Sequence, residues 1–197
     1  MDEKLRTLDA STTLEASDII ARGGLIIFPT DTLYGLGCDP RNAAAVRRVF
    51  LAKGRGGKPI PVLCDSLESA QLLASLNPTA RRLASAHWPG GLTIIAPLKV
   101  PLPEEVHNGT GLVGVRVPDS PLCAELLRRC GGFLTGTSAN ISGERPCVTS
   151  RAALAKLGKR VDLVLDGGKL TGPPSTVVKV VGRKIIVLRR GRVGVKD

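Results

Sequence analysis

Short aliphatic runs alternate along this chain with segments that carry helix-start signals, and this alternation constrains the fold more than any other feature. Residues 25–28, 60–63, 92–97, 113–117, 133–135, 161–165, 175–181 and 185–190 are runs of strand length, set off by glycine, proline or polar clusters. Between them stand Asn42 and the pairs Asn77 with Pro78 and Ser120 with Pro121, N-caps of which two are followed by Pro at the first helical position. Helices are therefore expected over 43–53, from 78 through 83, and over 121–130, the last stopped by Gly131 and Gly132; others are expected at 67–75 and 152–157. GRK (182–184) between the last two runs predicts a hairpin. The pattern predicts an α/β fold, a single domain with a twisted mixed β-sheet and flanking helices.

At 197 residues the chain fits one domain, and it shows neither an internal repeat nor a linker. No apolar run approaches the roughly 20 residues of a bilayer span, so no membrane association is expected. Asp2, Glu3, Asp9, Glu15 and Asp18 in the first twenty residues argue against a signal or transit peptide. Five cysteines, without paired metal-ligand spacing, read as free thiols in a reducing cytoplasm rather than as a zinc site. A net charge of +11 makes the surface attractive to phosphates, of a nucleotide or of a nucleic acid. Aromatics are only 3%, and no basic cluster is interleaved with them, which disfavours a base-stacking platform for single strands.

Four places hold residues suited to chemistry. In LIIFPTDTLYGLGCDP (25–40) the apolar run suits a strand covered on both faces, and Pro29 removes the next ladder donor, so the strand stops there. Thr30, Asp31, Thr32 and Tyr34 then crowd together beside Gly35 and Gly37, a composition that fits a pocket wall and equally an ordinary capped turn. KGRGGK places Lys53, Arg55 and Lys58 in one loop, which reads either as a triphosphate grip or as a solvated basic loop. Ser138 and Asn140 in TGTSANISG are small hydrogen-bonding groups after a strand, open to a binding or a turn reading. Arg116 lies inside the apolar strand VGVRVP, where an unpaired charge is expensive, so it is expected to face a carboxylate of the protein or of a ligand. His87 and His107 have no Ser or Asp in an informative spacing, and no glycine-rich phosphate loop precedes a helix, so a hydrolytic triad and a standard nucleotide loop are both excluded.

FPTDTLYGLG, KGR, WPGGLTIIAP, VGVRVP, TSANISG, STVV and LRRG occur in that order over about residues 15–193, and together they resemble the YrdC/Sua5 family of threonylcarbamoyl-adenylate synthases. The resemblance is to the short form without an additional C-terminal domain. It implies a YrdC-like domain over 15–193 with an α/β twist like that of double-stranded-RNA-binding proteins and a concave basic cavity, an N-terminal segment at 1–14, and a short tail at 194–197. The implied reaction joins L-threonine, bicarbonate or carbon dioxide, and ATP with its Mg²⁺ into threonylcarbamoyl-AMP and pyrophosphate, without an organic cofactor. The threonine amine takes up carbon dioxide, and the resulting carbamate displaces pyrophosphate from the α-phosphate. A tRNA threonylcarbamoyl transferase complex would be the partner that passes the group to adenosine 37 of tRNA, and tRNA or double-stranded RNA is a further implied contact of the basic face.

Carried over by position, Lys53, Arg55, Lys58, Ser138, Asn140 and Arg189 are the implied ATP contacts, with Lys53 and Arg55 in the catalytic role. Thr32, Arg116, Ser138 and Ser175 are the implied threonine contacts, and Tyr34 lines the same cavity. The loop after Arg55 is one residue shorter than is usual in the family, and Leu63 stands where many members have His, so no contact is carried over to Leu63. Two other readings belong to the same fold: a YciO-like paralogue that holds RNA or a nucleotide, and carbamoyl-adenylate chemistry like that of hydrogenase-maturation proteins.

Overall fold

In the computed structural model, which describes residues 3–54 and 56–195, the mixed α/β class appears as expected, but the strands divide between two sheets instead of one. The first runs in the order β1 (Leu5–Thr7), β9 (Leu163–Asp166), β2 (Ile26–Pro29), β3 (Tyr34–Gly37), β8 (Thr137–Ser138). The second runs β11 (Lys184–Arg189), β10 (Thr176–Val181), β5 (Leu92–Pro97), β6 (Leu112–Arg116), β4 (Val62–Cys64), β7 (Phe133–Thr135). Each sheet mixes parallel and antiparallel pairs, and β10 with β11 is the expected hairpin.

The division turns on Gly136. It alone separates β7, which pairs with β4, from β8, which pairs with β3. A Cβ at this position would lie 2.4 Å from Leu63 Cγ, and its N–H donates to the Pro61 carbonyl at 2.8 Å. The chain can therefore step from one sheet to the other only where no side chain intervenes.

The glycines of YGLG have a related cause. Register sets Phe28 opposite Gly35, and the Phe28 ring lies over that position; a Cβ on Gly37 would meet the same ring at 2.7 Å and the Thr135 carbonyl at 2.6 Å. The segment read as a polar pocket wall thus continues as a strand after a tight turn at 30–33.

Caps explain the helices. Asn42 accepts from Ala45 N–H to start α2 (Ala43–Lys53), Ser66 caps α3 (Leu67–Leu73), Asn77 caps α4 (Pro78–His87), Ser120 caps α6 (Pro121–Arg129) and Thr149 caps α7 (Ser150–Leu157). A short α5 (Glu104–His107) precedes β6. Unanticipated is α1 (Ala10–Ala21), opened by Asp9 and Thr12 in a reciprocal capping box. With β1 paired to β9, residues 5–7 join the five-stranded sheet and residues 10–14 begin the helix that packs on it.

Along β2 the side chains alternate between two apolar clusters. Leu25 and Ile27 join the larger one with Val46, Val49, Ile94 and Val115, whereas Ile26 and Phe28 join a second with Ile20, Leu126 and Leu127 of α1 and α6. That strand is covered on both faces, as its continuous apolar run predicts. Among the described residues no helix is long and apolar enough to cross a membrane.

All five cysteines are buried free thiols, and burial pushes Cys38 up to about 11 and Cys123 and Cys130 up to about 12. Iodoacetamide at pH 7.5 is expected to leave the native protein unmodified over a period that labels every cysteine in denaturant, as read by intact mass. Gly136→Ala is expected to destabilise the protein by about 1–3 kcal/mol through forced overpacking against Leu63, as measured by urea unfolding.

Candidate active site

Between the sheets lies a cavity of ≈ 520 Å³. Thr30, Thr32 and Tyr34 line it from the first sheet, together with Thr137 and Ser138; Leu63, Thr93, Arg116, Ser175 and Arg189 line it from the second. Among the described residues its charged lining consists of Arg116, Lys179 and Arg189, with no carboxylate, so the space attracts anions.

Arg116, at the end of β6, is 5% exposed. Its Nη2 pairs with the carboxylate of Asp31, Nη1 donates to Thr32 Oγ1 at 3.0 Å, and Nε donates to the Gly90 carbonyl at 2.9 Å. The carboxylate expected opposite Arg116 is therefore supplied by the protein, from the β2–β3 turn. Burial pulls the guanidinium below its ordinary value, and Asp31 opposes that shift. Of its five N–H bonds, two remain for a ligand, one on each terminal nitrogen. Arg192 reaches the same turn by donating to the Asp31 carbonyl, and the second carboxylate oxygen of Asp31 is buried without a hydrogen-bond partner among the described residues.

Thr32 receives that Arg116 bond and lies 3.1 Å from Thr30 Oγ1, whose own hydrogen goes to the Leu33 carbonyl. Tyr34 is fully buried, and although its ring forms part of the wall, its hydroxyl donates to the Gly168 carbonyl and accepts from Gly167 N–H. That hydroxyl braces the chain after β9, and burial raises its pKa.

On the opposite side Arg189, the last residue of β11, grips Ser175 through its carbonyl (2.8 and 3.0 Å) and its hydroxyl (3.0 Å). Burial lowers the pKa of this guanidinium.

Lys53 ends α2 and is 1% exposed, with its ammonium held by the carbonyls of Ser138 and Asn140. Ser142 N–H returns a bond to the Lys53 carbonyl at 2.9 Å, so the lysine and the TSANIS loop brace each other. Asn140 donates to the Ile141 and Glu144 carbonyls, and its buried Oδ1 has no hydrogen-bond partner among the described residues. Lys58 is exposed. Arg55 lies outside the described residues.

Residues 18–191 match the Sua5/YciO/YrdC family model, described as "Telomere recombination". The chain belongs to the Sua5/YciO/YrdC family. Among relatives of this Sua5/YciO/YrdC chain, the threonylcarbamoyl-AMP synthase of Thiobacillus denitrificans is 38% identical over 169 residues, 85% of this chain and 90% of that protein. A putative threonylcarbamoyl-AMP synthase of Mycobacterium tuberculosis is 37% identical over 91% of this chain and 84% of its own length. Among solved structures, P. abyssi Sua5 complexed with L-threonine superposes with a TM-score of 0.89 at 30% identity; 95% of this chain is covered, and it spans 56% of that longer chain. E. coli YciO superposes at 0.86 with 26% identity, covering 95% of this chain and 94% of its own.

Of the residues carried over from the resemblance to the Sua5/YciO/YrdC family, Thr32, Tyr34, Arg116, Ser138, Ser175 and Arg189 meet at one cavity. Lys53 and Asn140 stand behind its Ser138 wall. Sequence reasoning missed Asp31 as the partner of Arg116, although Asp31 stands in the quoted turn and a buried Arg demands a carboxylate. It also missed Thr93 and Lys179 in the lining; Thr93 is the one polar residue of an otherwise apolar strand, a signal that was available.

Removing one member of the buried pair leaves the other charge uncompensated. Asp31→Leu is expected to destabilise the fold by about 3–5 kcal/mol, and Asp31→Leu with Arg116→Met by less than the single change. Urea unfolding of both variants checks this; a single variant as stable as the parent would refute the pairing's importance.

Proposed function

We propose that this protein is an L-threonylcarbamoyladenylate synthase, a nucleotidyltransferase that converts L-threonine, bicarbonate or carbon dioxide, and MgATP into threonylcarbamoyl-AMP and pyrophosphate, the first step of N6-threonylcarbamoyladenosine formation on tRNA. The observation that carries this reading is the convergence, in one anion-attracting cavity, of Arg116, Thr32, Ser138, Ser175 and Arg189 in a chain 38% identical over most of its length to a protein named for that activity. P. abyssi Sua5, a relative solved with L-threonine bound, supports the same reading.

In this reading the two remaining N–H bonds of Arg116 take the threonine carboxylate as a fork. Thr32 and Ser138 surround the hydroxyl and amine, so valine leaves polar groups unpaired. The amine adds to carbon dioxide and releases a proton; a carbamate oxygen then attacks the α-phosphorus, and the bond to the β-phosphate breaks. No protein nucleophile takes part. Orientation and charge supply the acceleration, with Arg189 at the nucleotide and Lys53, Arg55, Lys58 and Asn140 assigned to the phosphate side. Lys53 acts there through the Ser138–Asn140 backbone that it holds. Among the described residues no cluster of His, Cys, Asp or Glu is built for a metal, so Mg²⁺ belongs to the substrate MgATP, carried on phosphate oxygens. A tRNA threonylcarbamoyl transferase consumes the product, in the cytoplasm. The YciO-like RNA-holding alternative is not favoured, since the synthases are the more similar relatives.

Pyrophosphate release from MgATP and bicarbonate tests the proposal. Release is expected with L-threonine, to fall at least about tenfold with valine, to be lost in Arg116→Ala and Lys53→Ala, and to persist in the surface control Arg82→Ala. Release indifferent to the amino acid would overturn it.

A further inference from the structure

The geometry points to Thr93 as a positioning residue for the carboxylate of the amino-acid substrate, an inference that rests on the synthase reading. Thr93 is 2% exposed and sits on β5 in the floor of the cavity. Register places it beside both charged ends of the site: Thr93 pairs with Val177, which pairs with Arg189, and the antiparallel register that sets Ile94 opposite Val115 brings Thr93 opposite Arg116. Its methyl group lies against the bare Cα of Gly114, 3.3 Å from where a Cβ would stand, so the β-branched side chain is held with its hydroxyl toward Ser175, 2.9 Å away.

The hydrogen-bond inventory of this pair is incomplete on one side. A guanidinium only donates, so Ser175 Oγ accepts from Arg189 Nη2. Two hydroxyl hydrogens remain in the pair, one on Ser175 and one on Thr93, and their mutual bond uses one. Among the described residues neither hydroxyl has another acceptor. The pair therefore carries one uncommitted donor at the cavity wall, next in the sheet to the free N–H bonds of Arg116. Buried donors require acceptors, and the ligand group that satisfies this one and Arg116 together is a carboxylate. Thr93 thus positions Ser175, so that the one uncommitted hydroxyl hydrogen of the pair is aimed as the neutral donor that completes the carboxylate site; without the Thr93 hydroxyl that donor is no longer held in place.

Thr93→Val removes the hydroxyl and keeps the branching, and Thr93→Ser restores it. Steady-state pyrophosphate release is expected to give Thr93→Val a KM for L-threonine raised about tenfold, with kcat and the KM for MgATP near wild type, and Thr93→Ser close to wild type in all three. A Thr93→Val enzyme with an unchanged KM for L-threonine, an equal rise in both KM values, or a Thr93→Ser enzyme as impaired as Thr93→Val would each overturn the assignment while leaving the synthase reading intact. If the wild-type protein binds L-threonine without turnover, the thermal shift produced by L-threonine decides the assignment alone: its loss in Thr93→Val supports it and its retention overturns it. A wild-type protein that neither turns over nor is stabilised by L-threonine overturns both.

Discussion

The architecture depends on a charge placed where charge is expensive. Arg116 belongs to the six-stranded sheet, yet its guanidinium is satisfied by Asp31 and Thr32 from the turn of the five-stranded sheet and by the Gly90 carbonyl. One side chain therefore joins the two sheets at the cavity they enclose. An apolar joint of the same size would hold the sheets together as well; what it would not provide is a buried cation with two N–H bonds left over.

A second charged joint lies across the cavity. The ammonium of Lys53 is taken up by the backbone carbonyls of Ser138, at the end of β8, and Asn140, so the helix ending at Lys53 and the loop carrying Ser138 and Asn140 form one unit. Arg189 repeats the device with the Ser175 carbonyl. In each case a long cation orients backbone or hydroxyl groups, and the site's geometry is built from strands and braced turns rather than from mobile side chains.

Much of this was legible in the sequence because the signals are local. Asn42, Asn77, Ser120 and the short aliphatic runs announce helices and strands within a few residues of themselves, and the pattern fixed the α/β class. The Asp9 and Thr12 capping box was equally local and marked the start of α1, but the apolar residues of that helix are not gathered on one face, Ile20 being buried and Leu14 exposed. What could not be read were pairings between distant positions. Asp31 and Arg116 lie 85 residues apart, and nothing in either neighbourhood names the other. The split into two sheets hinges on Gly136, one glycine among 23, whose role follows from Leu63 standing in the way. Lys53 and Arg116 stood out by residue type; Thr93 was marked only as the one polar residue of its strand, and register was needed to place it between Arg116 and Val177.

Gly136 has a consequence for the dimensions of the cavity. Because β7 and β8 are consecutive and belong to different sheets, with no spare residue between them, the chain is taut at the seam, and the Gly136 N–H is fastened to the Pro61 carbonyl. The two sheets share a fulcrum without slack. Leu63 and Ser138 line the cavity on either side of this seam, so their separation is set by backbone rather than by side-chain rotamers; that end of the cavity is gauged by the chain itself, whereas Pro59, Thr110 and Leu188 of its lining are exposed.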